Sequence, residues 1–183
     1  MQEKRLATSD RAAGSLPSGA RPAAPLPFDA MKRSAGLLMF RREPGGLQVL
    51  LAHPGGPFWR RKDEHAWTIP KGEYVEPESA LDAAQREFVE ETGFAVTPPL
   101  LPLGEIVQAG GKRITAWAFQ GQCDPAALRC NEFEMEWPPR SGQRQRFPEI
   151  DRVGWFPVAA ARTKLLPAQC ELLDRLERAL GAG

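Results

Sequence analysis

The sequence lacks an excess of either charge. Its 183 residues include 24 lysine and arginine residues and 23 aspartate and glutamate residues, for a formal net charge of +1. A net charge this small creates no bulk field that would draw the protein to nucleic acid or to an anionic membrane surface. Strong nucleic-acid binding is therefore not expected.

Long apolar runs and paired cysteines are missing as well. No uninterrupted apolar run approaches the roughly 18 residues that a membrane-spanning helix needs, so the sequence predicts no membrane segment. The three cysteines, Cys123, Cys130 and Cys170, form no CxxC pair and are odd in number. This pattern is typical of reduced, mostly buried thiols, and not of a disulfide framework or a zinc site. It favours a cytoplasmic protein.

Apolar periodicity is absent from residues 1–30, which are rich in alanine, proline, glycine and serine. Such a segment cannot bury enough surface to offset the entropy cost of ordering it, so we expect a disordered N-terminal extension. It lacks the apolar core of a secretory signal, and its acidic residues count against a transit peptide. Because Met31 stands just before the first strand-like run, we hypothesise that translation starts there. The folded domain is expected to span residues 31–183.

Strand-like and helix-like segments alternate from residue 32 onward. The strand-like segments are 34–42, 47–53, 66–70, 103–109, 113–121 and 151–158. Helical spacing of apolar residues predicts helices over 77–92 and 167–180. Strands and helices mixed in this way predict an α/β fold, in which helices pack on the faces of a mixed sheet.

The helix predicted over residues 77–92 has a recognisable start and end. Pro77 suits the first helical position, and Gly93 suits a left-handed cap after the last turn. Apolar residues at helical spacing predict the buried stripe of this helix, which is Leu81, Ala84 and Phe88.

Three glutamates, Glu87, Glu90 and Glu91, crowd the end of this helix on one face. One interpretation is a solvated acidic stripe, because a like-charge pair costs only roughly 0.2–0.5 kcal/mol in water. The other is a site for a hard cation. Clustered carboxylates raise one another's pKa unless a metal neutralises them, and Mg²⁺ prefers oxygen ligands.

The spacing of residues 72–94 decides between these interpretations. Glycines and charged residues stand there at fixed intervals, with Phe88 and Phe94 as the apolar positions. In order they are Gly72, Glu78, Arg86, Glu87, Glu90, Glu91 and Gly93. The stretch matches the full signature of the Nudix hydrolases at every fixed position, and the chain resembles that family.

The resemblance implies an α/β/α sandwich with a mixed β-sheet and a loop–helix–loop catalytic motif. It also implies hydrolysis of the pyrophosphate bond in a nucleoside diphosphate linked to another moiety. Because pyrophosphate is a polyanion, divalent cations are needed to neutralise its oxygens and to lower the pKa of the attacking water. A carboxylate can then take the proton of that water.

The same resemblance assigns roles to individual residues. The expected ligands of Mg²⁺ or Mn²⁺ are Glu87, Glu90, Glu91 and the backbone carbonyl of Lys71. Arg86 is expected to orient Glu87, which also serves as a catalytic residue. Gly72, Glu78 and Gly93 are expected to support the motif.

The residues before the motif bear on the substrate. The sequence Trp-Thr-x-Pro-Lys-Gly at 67–72 is similar to that of diadenosine tetraphosphate hydrolases and diphosphoinositol phosphate hydrolases. The Lys71 ammonium would then contact a phosphate chain as a point charge, or else be an ordinary exposed loop lysine.

The loop at 53–67 mixes aromatic and basic residues. Phe58 and Trp59 could stack a nucleobase while Arg60, Arg61 and Lys62 hold phosphates. The alternative is a surface loop whose aromatics cover the edge of the sheet. His53, at the end of a strand, is interpreted as a structural hydrogen-bonding residue.

The segment 131–151 is predicted to be a basic loop with arginines at 140, 144 and 146. Family enzymes often have a further acidic residue near the metals here, and Glu149 is the first candidate, followed by Glu136 and Glu134. A solvated loop carboxylate is the alternative. Phe133 or Trp137 is a candidate for a second base-stacking aromatic. Together with the loop at 53–67, this segment resembles a poorly characterised bacterial group of Nudix proteins.

The predicted function is Mg²⁺-dependent hydrolysis of a dinucleoside polyphosphate such as diadenosine tetraphosphate. The alternatives are a nucleoside triphosphate or diphosphoinositol substrate, or a catalytically silent Nudix module that senses a ligand or binds RNA. The intact run of Arg86, Glu87, Glu90 and Glu91 argues against a silent module, because a pure binding domain has no need of every metal ligand. The sequence does not predict an oligomeric state.

Overall fold

The computed structural model describes residues 33–181. The predictions for residues 1–30 and for a start at Met31 lie outside the described residues. None of the helices found within 33–181 combines the length and the apolar character required to cross a membrane.

The described chain contains strands and helices in mixed order. The strands are β1 (Arg33–Glu43), β2 (Gly46–Pro54), β3 (Lys71–Glu73), β4 (Leu101–Val107), β5 (Arg113–Gln120), β6 (Glu132–Glu136), β7 (Arg144–Pro148) and β8 (Ile150–Pro157). The α-helices are α1 (Ala80–Thr92), α2 (Val158–Lys164) and α3 (Cys170–Gly181).

Six strands form one mixed sheet in the order β4-β5-β1-β2-β8, with β3 also paired to β1. β1 and β5 run parallel, and the other pairs in this sheet are antiparallel. Successive side chains of β1 alternate between two buried faces, with Leu37 and Met39 on one and Leu38 and Phe40 on the other. Both faces are apolar because helices cover both of them.

The helices form the two outer layers. Phe88 of α1 lies in the same core cluster as Leu37, whereas Leu172 of α3 and Ala161 of α2 lie in the cluster of Leu38. The predicted α/β/α sandwich with a mixed sheet is therefore confirmed. α1 therefore packs on one sheet face, and α2 and α3 pack on the other.

Residues 66–70 do not form the predicted strand. All five are buried, but Trp67 and Thr68 make only isolated bridges, and β3 begins after Pro70. A short apolar run is ambiguous from its pattern alone, because buried irregular chain is as apolar as a buried strand.

α1 begins later than predicted because Ser79, and not Pro77, precedes its first turn. Ser79 Oγ accepts a hydrogen bond of 3.1 Å from the backbone N–H of Asp82, which is the geometry of an N-cap. Gly93 is left-handed, with φ of 73°, as predicted. The buried face of the helix is Ala83, Ala84, Phe88 and Thr92. Leu81 is only half-buried and does not belong to the buried stripe as predicted.

Residues 131–151 form a hairpin of β6 and β7, and not the predicted loop. Phe133 and Met135 alternate with exposed glutamates along β6, and this alternation is the strand signal that the prediction missed. The short helix α2 was also not predicted. At the C-terminus, Pro167–Gln169 is a 3₁₀ turn that leads into α3, so only the later part of the helix predicted at 167–180 is α-helical. The remaining strands end within two residues of their predicted bounds.

Candidate active site

β3 and α1 bring the motif residues together. The pairing of β3 with the start of β1 sets Lys71 opposite Gly36 and Gly72 opposite Ala35. Glu87 extends from α1 onto β3, so that a Cβ added at Gly72 would lie 1.9 Å from Glu87 Cδ. Only a glycine leaves room for the carboxyl group at this position. Gly72 therefore helps to fix where Glu87 lies.

Arg86 connects three of the motif carboxylates. Its Nε and Nη2 donate to the two oxygens of Glu78 at 2.7 and 3.0 Å, and its Nη1 donates to Glu87 Oε1 at 2.7 Å and Glu90 Oε2 at 2.9 Å. The hydrogen bonds to Glu78 raise the pKa of Arg86, and the Arg86 guanidinium lowers the pKa of Glu78. The planar guanidinium therefore orients Glu87 while Glu78 holds the guanidinium in place.

Glu91 is half-buried, as Glu87 is, whereas Glu90 is exposed. Glu91 Oε2 accepts a hydrogen bond of 2.8 Å from the backbone N–H of Lys71. Burial raises the pKa of Glu91 to about 7, an effect that Lys71 opposes and that Glu87 and Glu149 reinforce. A buried carboxylate surrounded by further carboxylates favours the arrival of a cation.

The Lys71 side chain lies among these carboxylates and is not an ordinary exposed lysine. It is half-buried. Burial lowers the pKa of its ammonium group, and the nearby Glu91 and Glu87 oppose that effect. A phosphate chain that reaches the glutamates would therefore meet the Lys71 ammonium as well as the Arg86 guanidinium.

Glu149, between β7 and β8, faces the same cluster. Burial raises the pKa of its carboxyl group, and the charges of Glu87 and Glu90 raise it further. Its backbone is held on both sides, since its N–H donates to Asn131 O and its carbonyl accepts from the N–H of Gly55, each at 2.9 Å.

The other two acidic candidates of this region have partners on the exposed hairpin. Glu134 pairs with Arg144 at 2.8 Å, and Glu136 Oε1 accepts from the backbone N–H of Gly142 at 2.9 Å. The fold thus brings Glu149, and neither Glu134 nor Glu136, to the acidic cluster.

The carboxylates of α1 suit a hard divalent cation. One oxygen of each, Glu87 Oε2, Glu90 Oε1 and Glu91 Oε1, stays outside the hydrogen bonds described above. Within residues 33–181, no three side chains of the His, Cys, Asp and Glu types already stand at metal-ligand spacing. The donor set nevertheless fits Mg²⁺, which takes one or two carboxylates and keeps several waters. Arg86 neutralises part of the acidic charge of the cluster.

A cavity of about 600 Å³ lies next to Glu149. Its lining residues are Gly56, Pro57, Arg60, Arg61, Trp137, Phe147, Pro148 and Asp151. Pro148 and Asp151 flank Glu149 along the chain, which places one wall of the cavity beside the acidic cluster. The cavity therefore combines two cations and two aromatic rings at the edge of a candidate metal site.

The structure brings only some of the predicted substrate-binding residues to this cavity. Arg60, Arg61 and Trp137 line it, and Phe58 packs edge-on against Trp137 with ring centroids 5.3 Å apart. Trp59 does not line it.

The Trp59 ring packs instead against the core cluster under α2 and α3, with Lys62 Nζ 4.6 Å from the ring centroid. Burial of its apolar area in the core accounts for this position. Phe133 packs over Gly56, where an added Cβ would lie 3.1 Å from its Cζ.

The sequence reasoning did not find Phe147 and Asp151. Phe147 ends the basic run of β7, and an aromatic residue after alternating arginines was its only signal. Asp151 lies at the start of β8, and nothing in its local sequence distinguishes it. Its place is set by His53, a buried residue whose Nδ1 lies 2.8 Å from Asp151 Oδ1.

Comparison with known proteins points to the same family as the motif at residues 72–94. Residues 30–176 match the family model of the NUDIX domain. A protein of Enterobacteria phage T4, named an uncharacterized 17.7 kDa protein of the e-segB intergenic region, is 30% identical over 115 residues. That match covers 61% of this chain and 75% of the phage protein.

Solved structures share the fold at low sequence identity. A C. elegans Ap4A hydrolase in a binary complex has a TM-score of 0.59 at 20% identity, covering 84% of this chain and all of that one. The NUDIX domain of Shewanella oneidensis NrtR, complexed with ADP ribose, has a TM-score of 0.58 at 19% identity, with 86% and 93% covered. A mutT/nudix family protein from Listeria innocua has a TM-score of 0.54 at 22% identity, with 82% and 94% covered.

Proposed function

The chain belongs to the NUDIX family of pyrophosphohydrolases, and we propose that it hydrolyses a dinucleoside polyphosphate such as diadenosine tetraphosphate. The observation that carries this proposal is the cavity with Arg60, Arg61, Trp137 and Phe147 beside the acidic cluster. Aromatic faces accept a nucleobase, and arginines bind phosphate oxygens.

The protein's own residues supply the catalytic arrangement that we propose. Glu87, Glu90 and Glu91 would hold Mg²⁺ or Mn²⁺, together with the backbone carbonyl of Lys71. A divalent cation at that place neutralises phosphate oxygens and lowers the pKa of a water. Arg86 keeps Glu87 oriented. Glu149, whose pKa is raised by burial and by the neighbouring glutamates, accepts the proton of the attacking water.

The positions of the cations favour a long phosphate chain. Arg60 and Arg61 lie at the cavity and the Lys71 ammonium lies among the glutamates, so a ligand bound in the cavity meets positive charge at both places. A dinucleoside polyphosphate has one base for the cavity and enough phosphates to reach the glutamates. The similarity of residues 67–72 to diadenosine tetraphosphate hydrolases supports the same substrate class. A nucleoside triphosphate offers a shorter chain and is the second candidate.

A substrate panel tests the proposal. We would measure kcat/KM with Mg²⁺ for diadenosine tetraphosphate, ATP, ADP-ribose and a diphosphoinositol phosphate, and identify the products. We expect diadenosine tetraphosphate to be preferred. Preference for ATP or for the diphosphoinositol, which has no base, would contradict the proposed substrate. Binding without hydrolysis of any of them would indicate a silent module.

Metal dependence is tested with one matched pair of variants. Glu90→Gln keeps the side-chain shape but removes charge that a hard cation needs, so we expect activity to fall by orders of magnitude. Its thermal midpoint should change little, because the loss of the exposed ion pair with Arg86 is offset by the removal of one like charge from the cluster. Glu177→Gln on α3, which faces Arg162, is the control and should keep full activity. Full activity of Glu90→Gln, or of wild type in excess chelator, would contradict the assignment.

We also propose a cytoplasmic location. Cys123, Cys130 and Cys170 are free and half-buried, which is the state expected in a reducing compartment. Recovery of the native protein in a secreted or membrane fraction on cell fractionation would contradict it.

A further inference from the structure

We propose that Asp151 selects the nucleobase, and that it favours a base with an exocyclic amino group over one that lacks it. The inference rests on the proposed function, since it takes the ligand of the cavity to be a nucleotide. Adenine, guanine and cytosine carry such an amino group, whereas hypoxanthine and uracil do not.

Asp151 is the acidic side chain in the lining of this cavity. The other lining residues are arginines, aromatics, prolines and a glycine. About a quarter of the Asp151 side chain, 24%, is exposed. A carboxylate beside aromatic rings can read the polar edge of a base that stacks on those rings. Nothing in the proposed hydrolysis uses Asp151, so its position calls for another role.

A fully buried His53 holds Asp151 in one orientation. The Nε2 of His53 lies 2.8 Å from the backbone carbonyl of Lys62, and a carbonyl only accepts, so Nε2 carries a hydrogen and donates it. The Nδ1 of the same ring lies 2.8 Å from Asp151 Oδ1. The ring also packs edge-on against Trp67, at 5.1 Å between centroids. With both nitrogens engaged, the imidazole cannot turn without losing two hydrogen bonds.

This arrangement leaves Asp151 Oδ2 as a fixed acceptor. The group that contacts Oδ2 is Arg152 Nη1. It lies 3.3 Å from each of the two carboxyl oxygens, a distance too long for a strong charged hydrogen bond. Oδ2 of the carboxylate is therefore left to accept a hydrogen bond from a ligand. An amino group of a base donates to such an oxygen, while a ring carbonyl in the same place meets it as one acceptor against another.

The selectivity is measured with two substrates that differ only at this group. Diadenosine tetraphosphate carries an amino group at purine C6, where the analogue with unsubstituted purine bases carries only hydrogen, and ring N1 is an acceptor in both. For wild type we expect kcat/KM to favour the adenine compound by about tenfold to a hundredfold, mainly through KM, because a hydrogen bond to a charged acceptor is gained on one side only.

Two variants, Asp151→Ala and His53→Gln, test whether the ratio of the two kcat/KM values depends on Asp151. Asp151→Ala removes the acceptor, and the ratio of the two kcat/KM values should approach one. A ratio within one preparation does not depend on how much of the enzyme is folded. Asp124→Ala, which removes a carboxylate from a turn outside the cavity lining, is the matched control and should keep the wild-type ratio. His53→Gln retains Asp151 but not its anchor, so its ratio should fall part of the way.

The outcomes separate this inference from the proposed function. Hydrolysis of both compounds at equal kcat/KM by wild type overturns the selection by Asp151 and leaves the hydrolase function in place. An unchanged ratio in Asp151→Ala does the same. If wild type hydrolyses neither compound with Mg²⁺, the proposed function fails, and the inference fails with it.

Discussion

Arg86 holds Glu78 through two parallel hydrogen bonds, from Nε at 2.7 Å and from Nη2 at 3.0 Å. This leaves the remaining nitrogen, Nη1, to bind Glu87 and Glu90. One rigid guanidinium thus fixes a loop residue and two helix residues relative to one another. The positions of Glu87 and Glu90 depend on the shape of this group as well as on its charge.

Arg86→Lys should therefore lower activity although it keeps the positive charge. A lysine ammonium is a point charge and cannot span Glu78 and Glu87 with fixed geometry. We expect kcat/KM to fall about 10- to 100-fold, the usual loss when a residue that orients metal ligands is replaced. Arg162→Lys, which changes an arginine paired with Asp174 and Glu177 on the other face of the sheet, is the control. Equal activity of the two variants would show that charge alone is needed at position 86.

Gly72→Ala should have a comparable effect for a steric reason. Its new Cβ would lie about 2 Å from both carboxyl oxygens of Glu87, at 2.0 and 2.2 Å, so Glu87 would have to move. A displacement of about 1 Å at a catalytic group can cost about 100-fold in rate, and we expect a loss in kcat of that order. Gly45→Ala is the matched control, because nothing lies within 4 Å of a Cβ at that position. The measurement is steady-state kinetics on the folded variants. A normal kcat for Gly72→Ala would show that the close contact with the Glu87 carboxyl group is unimportant.

Trp137 and Trp59 should respond to alanine in opposite ways. Trp137 lines the cavity, so Trp137→Ala should raise KM about tenfold by loss of base stacking and leave the thermal midpoint near that of wild type. Trp59 packs on the core, so Trp59→Ala should cost about 2–3 kcal/mol of unfolding free energy and leave KM nearly unchanged. Chemical denaturation together with KM for diadenosine tetraphosphate checks both. A raised KM in Trp59→Ala together with an unchanged KM in Trp137→Ala would instead assign base stacking to Trp59.

Local pattern was sufficient to predict the motif because its residues are close in the sequence. Glu87, Glu90 and Glu91 share a helix face by spacing alone, and Gly93 reveals where that helix ends. The start of the helix was less predictable, since Pro77 and Ser79 are both good residues for a first turn, and the hydrogen bond from Asp82 decides between them.

The cavity could not be predicted because its walls come from distant parts of the chain. Arg60 and Phe147 meet only once the hairpin of β6 and β7 packs on the loop after β2. The same loop holds Trp59, and sequence alone does not reveal whether an aromatic beside basic residues binds a ligand or covers the core. Asp151 depends on His53, which is 98 residues away. The expectation that residues 1–30 are a disordered extension stays a prediction.

The backbone of Gly55 lies against the segment that carries Glu149. A Cβ at Gly55 would lie 1.9 Å from the backbone oxygen of Pro148, the residue before Glu149. Backbone atoms cannot move aside as a flexible side chain can, so Gly55→Ala should shift the 148–149 segment. The hydrogen bond from Gly55 N–H to the Glu149 carbonyl should weaken as well. We expect kcat to fall about tenfold to a hundredfold, because the proposed base is moved from its place.

A double-mutant cycle separates this positioning effect from a general loss of stability. Once Glu149→Gln has removed the base, displacing its backbone has little more to take away, so Gly55→Ala should lower kcat far less in that background than in wild type. A loss of folded protein would instead lower kcat by the same factor in both backgrounds. Gly45→Ala provides the control for the substitution itself and should leave kcat unchanged in either background. Strict additivity of Gly55→Ala and Glu149→Gln would contradict the positioning role of Gly55, and an unaltered kcat in Glu149→Gln would remove Glu149 as the base.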